Sequence, residues 1–130
     1  MLAVDTNVLV RVLVDDPMAL DQCRAARNSV SEAGEVFVSQ VVQIETLWVL
    51  AGTYGLSKST LQSTLGAIAV HPAFHLQSPE IFKAALQHYL AGHADFADCV
   101  VLAESAHAGH ELATFDRKLG KLPGARLITR

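Results

Sequence analysis

The sequence predicts an α/β fold, a three-layer α/β/α domain with a small central parallel sheet. Short β-branched runs alternate with longer helical patterns, which is how a parallel sheet covered on both faces reads. The helical stretches far exceed the strands, so the sheet must be small. No Gly/Ser or Pro-rich linker, internal repeat or low-complexity tract interrupts the 130 residues, so one domain, 1–130, is expected.

The elements follow in order. Leu2–Val4 reads as a first strand and Asn7–Val14 as a short helix. Asp16 looks like an N-cap with Pro17 at the first helical position, opening a helix to about Ala33 that Gly34 ends. Val36–Val38 is a second strand. Ser39 caps a helix reaching about Tyr54, closed by Gly55, and Ser57 caps another over Lys58–Val70. Phe74–Leu76 is a weak third strand. Ser78-Pro79 opens a helix to about Leu90, and Asp95–Ala108 is helical and stops at Gly109. Glu111–Thr114 and Arg126–Ile128 supply the last two strands.

Composition narrows the class. Hydrophobic residues make up 51%, enough for a core and too many for disorder. No apolar stretch approaches the ~18 residues of a membrane span, and the N-terminus lacks the basic start and cleavage site of a signal peptide. Cys23 and Cys99 sit in apolar surroundings and read as core residues of a reducing compartment. A cytoplasmic protein is expected. Net charge is −3, but unevenly spread. Residues 1–116 hold all thirteen acids and five of ten basic residues, a balance of −8. The last fourteen carry Arg117, Lys118, Lys121, Arg126 and Arg130 with no acid, which suggests a basic flank beside an acidic pocket.

Four acids suggest that pocket. Ligands of parallel sheets bind beyond the carboxyl ends of the strands. Asp5 falls at the end of the first strand and Asp116 just past the fourth. Glu45 shares a helical stripe with Val41, Trp48 and Val49, read as the buried face, where a carboxylate needs a partner or a ligand. Arg11 is the salt-bridge alternative. Asp98 lies one turn inside its helix beside Val101 and Leu102, with Asp95 as the likelier cap and a possible sharer of the pocket. Acids meeting in one place repel, and oxygen-only sites suit Mg²⁺ or Mn²⁺.

The stretches "AVDTNVLVRVL", "VSQVVQIETLWVLAGTYGLS" and "ADFADCVVLAESAHAGHELATFDRKL" resemble PIN-domain ribonucleases, and among them the VapC-type toxins of bacterial toxin–antitoxin pairs. The resemblance covers nearly the whole chain, in order and with similar spacing. It implies a Mg²⁺- or Mn²⁺-dependent endoribonuclease whose acidic quartet is Asp5, Glu45, Asp98 and Asp116. It implies that Thr6, Asn7 and Thr114 orient these carboxylates, with Asp95 an added acid beside Asp98. It also implies an antitoxin partner and a homodimer. The homodimer has a second argument in Leu61, Leu65, Ile68, Ile81, Phe82, Leu86 and Tyr89, more apolar surface than a small sheet covers. Arg11, Arg117 and Lys118 are candidates for holding the RNA backbone.

Other readings are weaker. A haloacid-dehalogenase-like phosphatase also starts with a strand ending in aspartate, but needs a second aspartate where Asn7 stands. A non-catalytic RNA-binding PIN-like module would not need all four acids. His71 and His75 are separated by Pro72, and His107 and His110 lack further ligands at zinc spacing.

Overall fold

The computed structural model describes residues 1–129; Arg130, the last residue of the basic run, lies outside the described residues. The chain divides into two compact units, Met1–Gln77 and Ser78–Arg130.

The first unit holds β1 (Leu2–Ala3), α1 (Thr6–Leu13), α2 (Leu20–Ala33), β2 (Val36–Val38), α3 (Gln40–Trp48), α4 (Lys58–Val70) and β3 (Phe74–Leu76). Its strands form a parallel sheet in the order β1-β2-β3, with Val36 opposite both Leu2 and Phe74. Val36 and Val38 are fully buried, as the side of a strand facing helices requires. Leu9, Val10, Leu47, Leu50, Leu61 and Leu65 complete the core. Ser39 and Ser57 cap their helices by accepting from the N–H of Val42 (3.3 Å) and Thr60 (3.2 Å), as expected. Gly34, at φ +76°, ends α2 in the left-handed region that glycine adopts without a Cβ clash.

Three expectations in this unit need correction. Helix α2 begins at Leu20, not at Pro17. Asp16 instead closes a turn, its Oδ1 accepting from Met18 N–H (2.9 Å). Its Oδ2 takes the Arg11 guanidinium (3.4 Å) and the Tyr54 hydroxyl (2.7 Å), the latter from 38 residues away, where a local cap rule cannot see it. The helix expected to run to Tyr54 stops at Trp48 and continues as a π-helical turn over Val49–Thr53. The wider turn ends with Tyr54 N–H on Val49 carbonyl (3.2 Å), and the Tyr54 hydroxyl accepts from the Arg11 guanidinium (2.8 Å). Finally, the apolar residues expected to lie open on α4 do not: Leu61, Leu65 and Ile68 are buried.

The second unit holds α5 (Pro79–Ala91), α6 (Phe96–His107), β4 (Leu112–Thr114) and β5 (Ala125–Leu127), with a 3-10 turn over Leu119–Lys121. Helices α5 and α6 pack through edge-to-face rings, Phe82 on Phe96 at 6.1 Å and Tyr89 on Phe96 at 5.8 Å. Phe82 and Leu86 are therefore buried, and the argument for a dimer from open apolar helix faces fails here too. Pro79 starts α5 as expected, but Ser78 makes no side-chain cap bond and sits at φ +49°. Strands β4 and β5 pair in parallel, Thr114 opposite Leu127. Among the described residues each of the five expected strands is present, β1, β2 and β3 in one hydrogen-bonded group and β4 and β5 in another. Among the described residues no helix is long and apolar enough to cross a membrane.

Candidate functional site

In the first unit, Asp5 follows β1 and caps α1. Its backbone is extended (φ −87°, ψ 179°), and its Oδ1 accepts from Val8 N–H at 3.0 Å. That local role was legible: an aspartate before an apolar-periodic stretch is a start signal. Its Oδ2 accepts no hydrogen bond among the described residues. Next to it, the Thr6 hydroxyl donates to Glu45 Oε1 at 3.1 Å across 39 residues of sequence, tying α1 to α3. Asn7 is exposed.

Glu45 is not on a buried stripe. Val41 and Trp48, its neighbours on α3, are 65% and 48% exposed, while Gln43, Thr46 and Leu47 face inward. The sequence misled because α3 carries apolar residues nearly all round. The buried place is held by Gln43, whose amide donates to the carbonyls of Val38 (3.2 Å) and Gln77 (2.8 Å). Glu45 does not pair with Arg11 either. That guanidinium is engaged by Asp16, Gln22 (2.9 Å) and Tyr54.

In the second unit, Asp95 caps α6, its Oδ2 accepting from Ala97 N–H at 3.1 Å. Asp116 follows β4, and its Oδ1 accepts from the Leu119 N–H at 2.9 Å, closing the turn that leads into the 3-10 segment. Thr114 Oγ1 accepts from Asp116 N–H at 3.0 Å and so fixes where that aspartate leaves the strand. Asp98 differs from both. It is half-buried, accepts no hydrogen bond among the described residues, and lies within the field of Asp95 and Asp116. Burial first, then those two charges, push its carboxyl above the ordinary aspartate value. Arg117, Lys118 and Lys121 nearby in sequence are exposed and form no ion pair among the described residues, while Arg126 pairs with Glu111 at 3.3 Å.

Within neither unit do three His, Cys, Asp or Glu side chains stand close enough to hold a metal ion by themselves, among the described residues. The donor chemistry nonetheless fits a hard divalent cation. Asp98 is a desolvated carboxylate with like charges around it and no N–H or O–H to offset them, the condition that a cation relieves. A polypeptide that sets such acids just beyond parallel strands is of the α/β class whose ligands bind at strand carboxyl ends. The sequence of residues 2–125 matches the PIN domain model, a span that includes nearly all of both units, and the chain belongs to the PIN-domain family. PIN domains are generally nucleases, so the family points to a nuclease-type hydrolase. Comparison with curated proteins gives no match.

Proposed function

We propose that the protein is a metal-dependent endoribonuclease that hydrolyses RNA phosphodiester bonds, and that it is the toxin of a bacterial toxin–antitoxin pair. The observation that carries the nuclease reading is Asp98, a half-buried carboxylate within the field of two other acids that accepts no hydrogen bond among the described residues. Asp5, Glu45, Asp98 and Asp116 are the acidic residues assigned to Mg²⁺ or Mn²⁺. When bound, such an ion supplies charge stabilisation for in-line phosphoryl transfer and lowers the pKa of water.

The side chains around the acids have separable tasks. The caps spend Oδ1 of Asp5 and Oδ1 of Asp116 on backbone N–H groups, which fixes each carboxylate and leaves Oδ2 for a ligand. Thr6 holds Glu45 in one rotamer, and Thr114 sets the exit angle of Asp116. Arg117 and Lys118 hold the phosphate backbone, so binding falls with added salt. The acidic balance of residues 1–116 keeps that binding modest.

The test is RNA cleavage by purified protein with Mg²⁺, Mn²⁺ or chelator. Metal-dependent cleavage that Asp98→Asn removes supports the reading; cleavage unaffected by chelator overturns it. The toxin role rests on the resemblance of the sequence to VapC-type toxins, in which an antitoxin segment covers the acids. It predicts growth arrest on expression and its reversal by the adjacent small gene, in a cytoplasmic complex. The same resemblance proposes a homodimer. Light scattering at micromolar concentration checks it, and a mass near 13.9 kDa rejects it.

A further inference from the structure

We propose that Phe115, together with Leu127 and Ile128, is a stacking platform for one unpaired base of the RNA, held beside a phosphate bound by Arg117. The inference rests on the ribonuclease reading and names the residues that position the substrate.

Three observations within the second unit carry it. A cavity of about 390 Å³ is lined by Phe115, Arg117, Leu127, Ile128 and Thr129. It lies at the carboxyl ends of β4 and β5, because Ile128 N–H donates to Thr114 carbonyl at 2.7 Å and so continues the ladder past both strands. The apolar walls are open to solvent: Phe115 is 61% exposed, Ile128 40% and Leu127 37%. The three side chains line one pocket, and one of them is an aromatic ring with most of its surface in solvent.

Charge decides the occupant. Arg117 lines the same cavity, and Lys118 and Lys121 are exposed without ion pairs among the described residues. An arginine beside an aromatic wall is what single-stranded nucleic acid meets in its binding proteins: the backbone follows the charge and a base lies on the ring. An apolar protein segment would fill the walls and leave those cations unused. Position agrees with this. Phe115 directly precedes Asp116, one of the acids assigned to the metal.

The experiment uses the full chain with Asp98→Asn, which prevents cleavage, and short single-stranded RNAs carrying 2-aminopurine at successive positions. The parent should quench the probe at a defined position. Adding Phe115→Ala should remove the quenching and weaken binding about 5- to 150-fold, the equivalent of the ~1–3 kcal/mol of one base–aromatic stack. Phe115→Trp should retain both. Arg117→Ala should weaken binding to all sequences and lower the salt slope by about 1. Unchanged thermal melts confirm that each variant is folded. If Phe115→Ala leaves affinity and quenching as in the parent, or the parent quenches at no position, the platform is overturned and the pocket serves a protein partner. Cleavage by the unsubstituted protein separates the two proposals. RNA that stacks but is never cut removes the ribonuclease reading alone, and RNA that is cut without dependence on Phe115 removes the platform alone.

Discussion

The two units treat their acids in opposite ways. Both contain the same turn, a parallel strand followed two residues later by an aspartate that caps what comes next. Asp5 Oδ1 meets the N–H three residues on at 3.0 Å, and Asp116 Oδ1 does the same at 2.9 Å. Each backbone carbonyl then takes the N–H four residues on, at 3.0 and 2.9 Å. The units part at the neighbouring acid. In the first, Glu45 accepts from the Thr6 hydroxyl, and Asp16 accepts from three donors, Tyr54, Met18 and Arg11. In the second, Asp98 accepts none among the described residues and lies within the field of Asp95 and Asp116. The lesson is that an aspartate after a strand is explained by capping alone. The acid that folding does not explain is Asp98.

The sharpest way to break this contrast is at Asp98. Removing an orienting partner of a metal ligand typically costs ~10–100-fold in affinity or activity, so replacing the ligand itself should cost at least ~100-fold in cleavage. In chelator the same Asp98→Asn variant should melt no lower than the parent, since one repelling, desolvated charge is gone. A structural Asp98 predicts the reverse pair, lower melting with cleavage retained by the folded fraction. Melts with chelator and with Mg²⁺, beside an RNA cleavage assay, read both outcomes, and Mg²⁺ should raise the melting temperature of the parent more than that of the variant.

The next test asks whether a donor makes Glu45 useful. Thr6→Val keeps the shape of the side chain and removes the hydroxyl that holds Oε1. If Thr6 positions Glu45, metal affinity or cleavage should fall by about 10–100-fold. Thermal stability should change little, because the pair is exposed and a net hydrogen bond contributes only about 0.5–1.5 kcal/mol. Metal titration with and without the variant distinguishes a positioning role from a merely stabilising one.

A smaller effect separates the cap at Asp5 from any ligand role. Asparagine caps about as well as aspartate, whereas Asp5→Ala should cost about 1 kcal/mol of stability, as N-cap removals do. Asp5→Asn should therefore melt near the parent in chelator and yet lose cleavage. If both variants melt alike, the Val8 bond does not stabilise α1 and the parallel between the two turns is broken. Denaturant titrations of the three proteins give the comparison.

Much of this was legible in the sequence, and the limits are physical. Strand β2 and helix α4 could be read to the residue, because the valines of Val36–Val38 and the caps Ser39 and Ser57 signal locally. The cap at Asp5 was legible but was passed over in favour of Asn7 as the helix start. The face of Glu45 was not legible, because α3 is apolar nearly all round and one polar residue, Gln43, takes the inward position through bonds to Val38 and Gln77. The π-helical turn and the Arg11–Asp16–Tyr54 cluster depend on pairings over as many as 43 residues, which no local pattern encodes. Helix α5 and helix α4 read as open apolar faces because periodicity shows an apolar stripe but not what covers it.

The smallest expected effect is also the most direct reading of the contrast, because two aspartates are shifted in opposite directions. The Tyr54 hydroxyl, then the Met18 N–H and the Arg11 charge, hold the Asp16 carboxyl below its ordinary value against the cost of burial. Its contribution to stability is fully present above the ordinary aspartate value, and is lost as pH falls through the lowered folded value. Burial, Asp95 and Asp116 hold Asp98 above its ordinary value. The folded state then binds the proton more tightly than the unfolded chain. Its penalty is absent at low pH, grows as pH rises from the ordinary value to the raised one, and is complete above that. Metal-free protein is the place to look, since a bound cation would mask the second effect. The stability difference between parent and Asp98→Asn should grow in favour of the variant as pH rises from about 4 towards neutrality. The difference between parent and Asp16→Asn should favour the parent at neutral pH and shrink as the solution is acidified below about 4. Denaturation midpoints measured across pH in chelator test both slopes, and two slopes of the same sign would remove the distinction between the units.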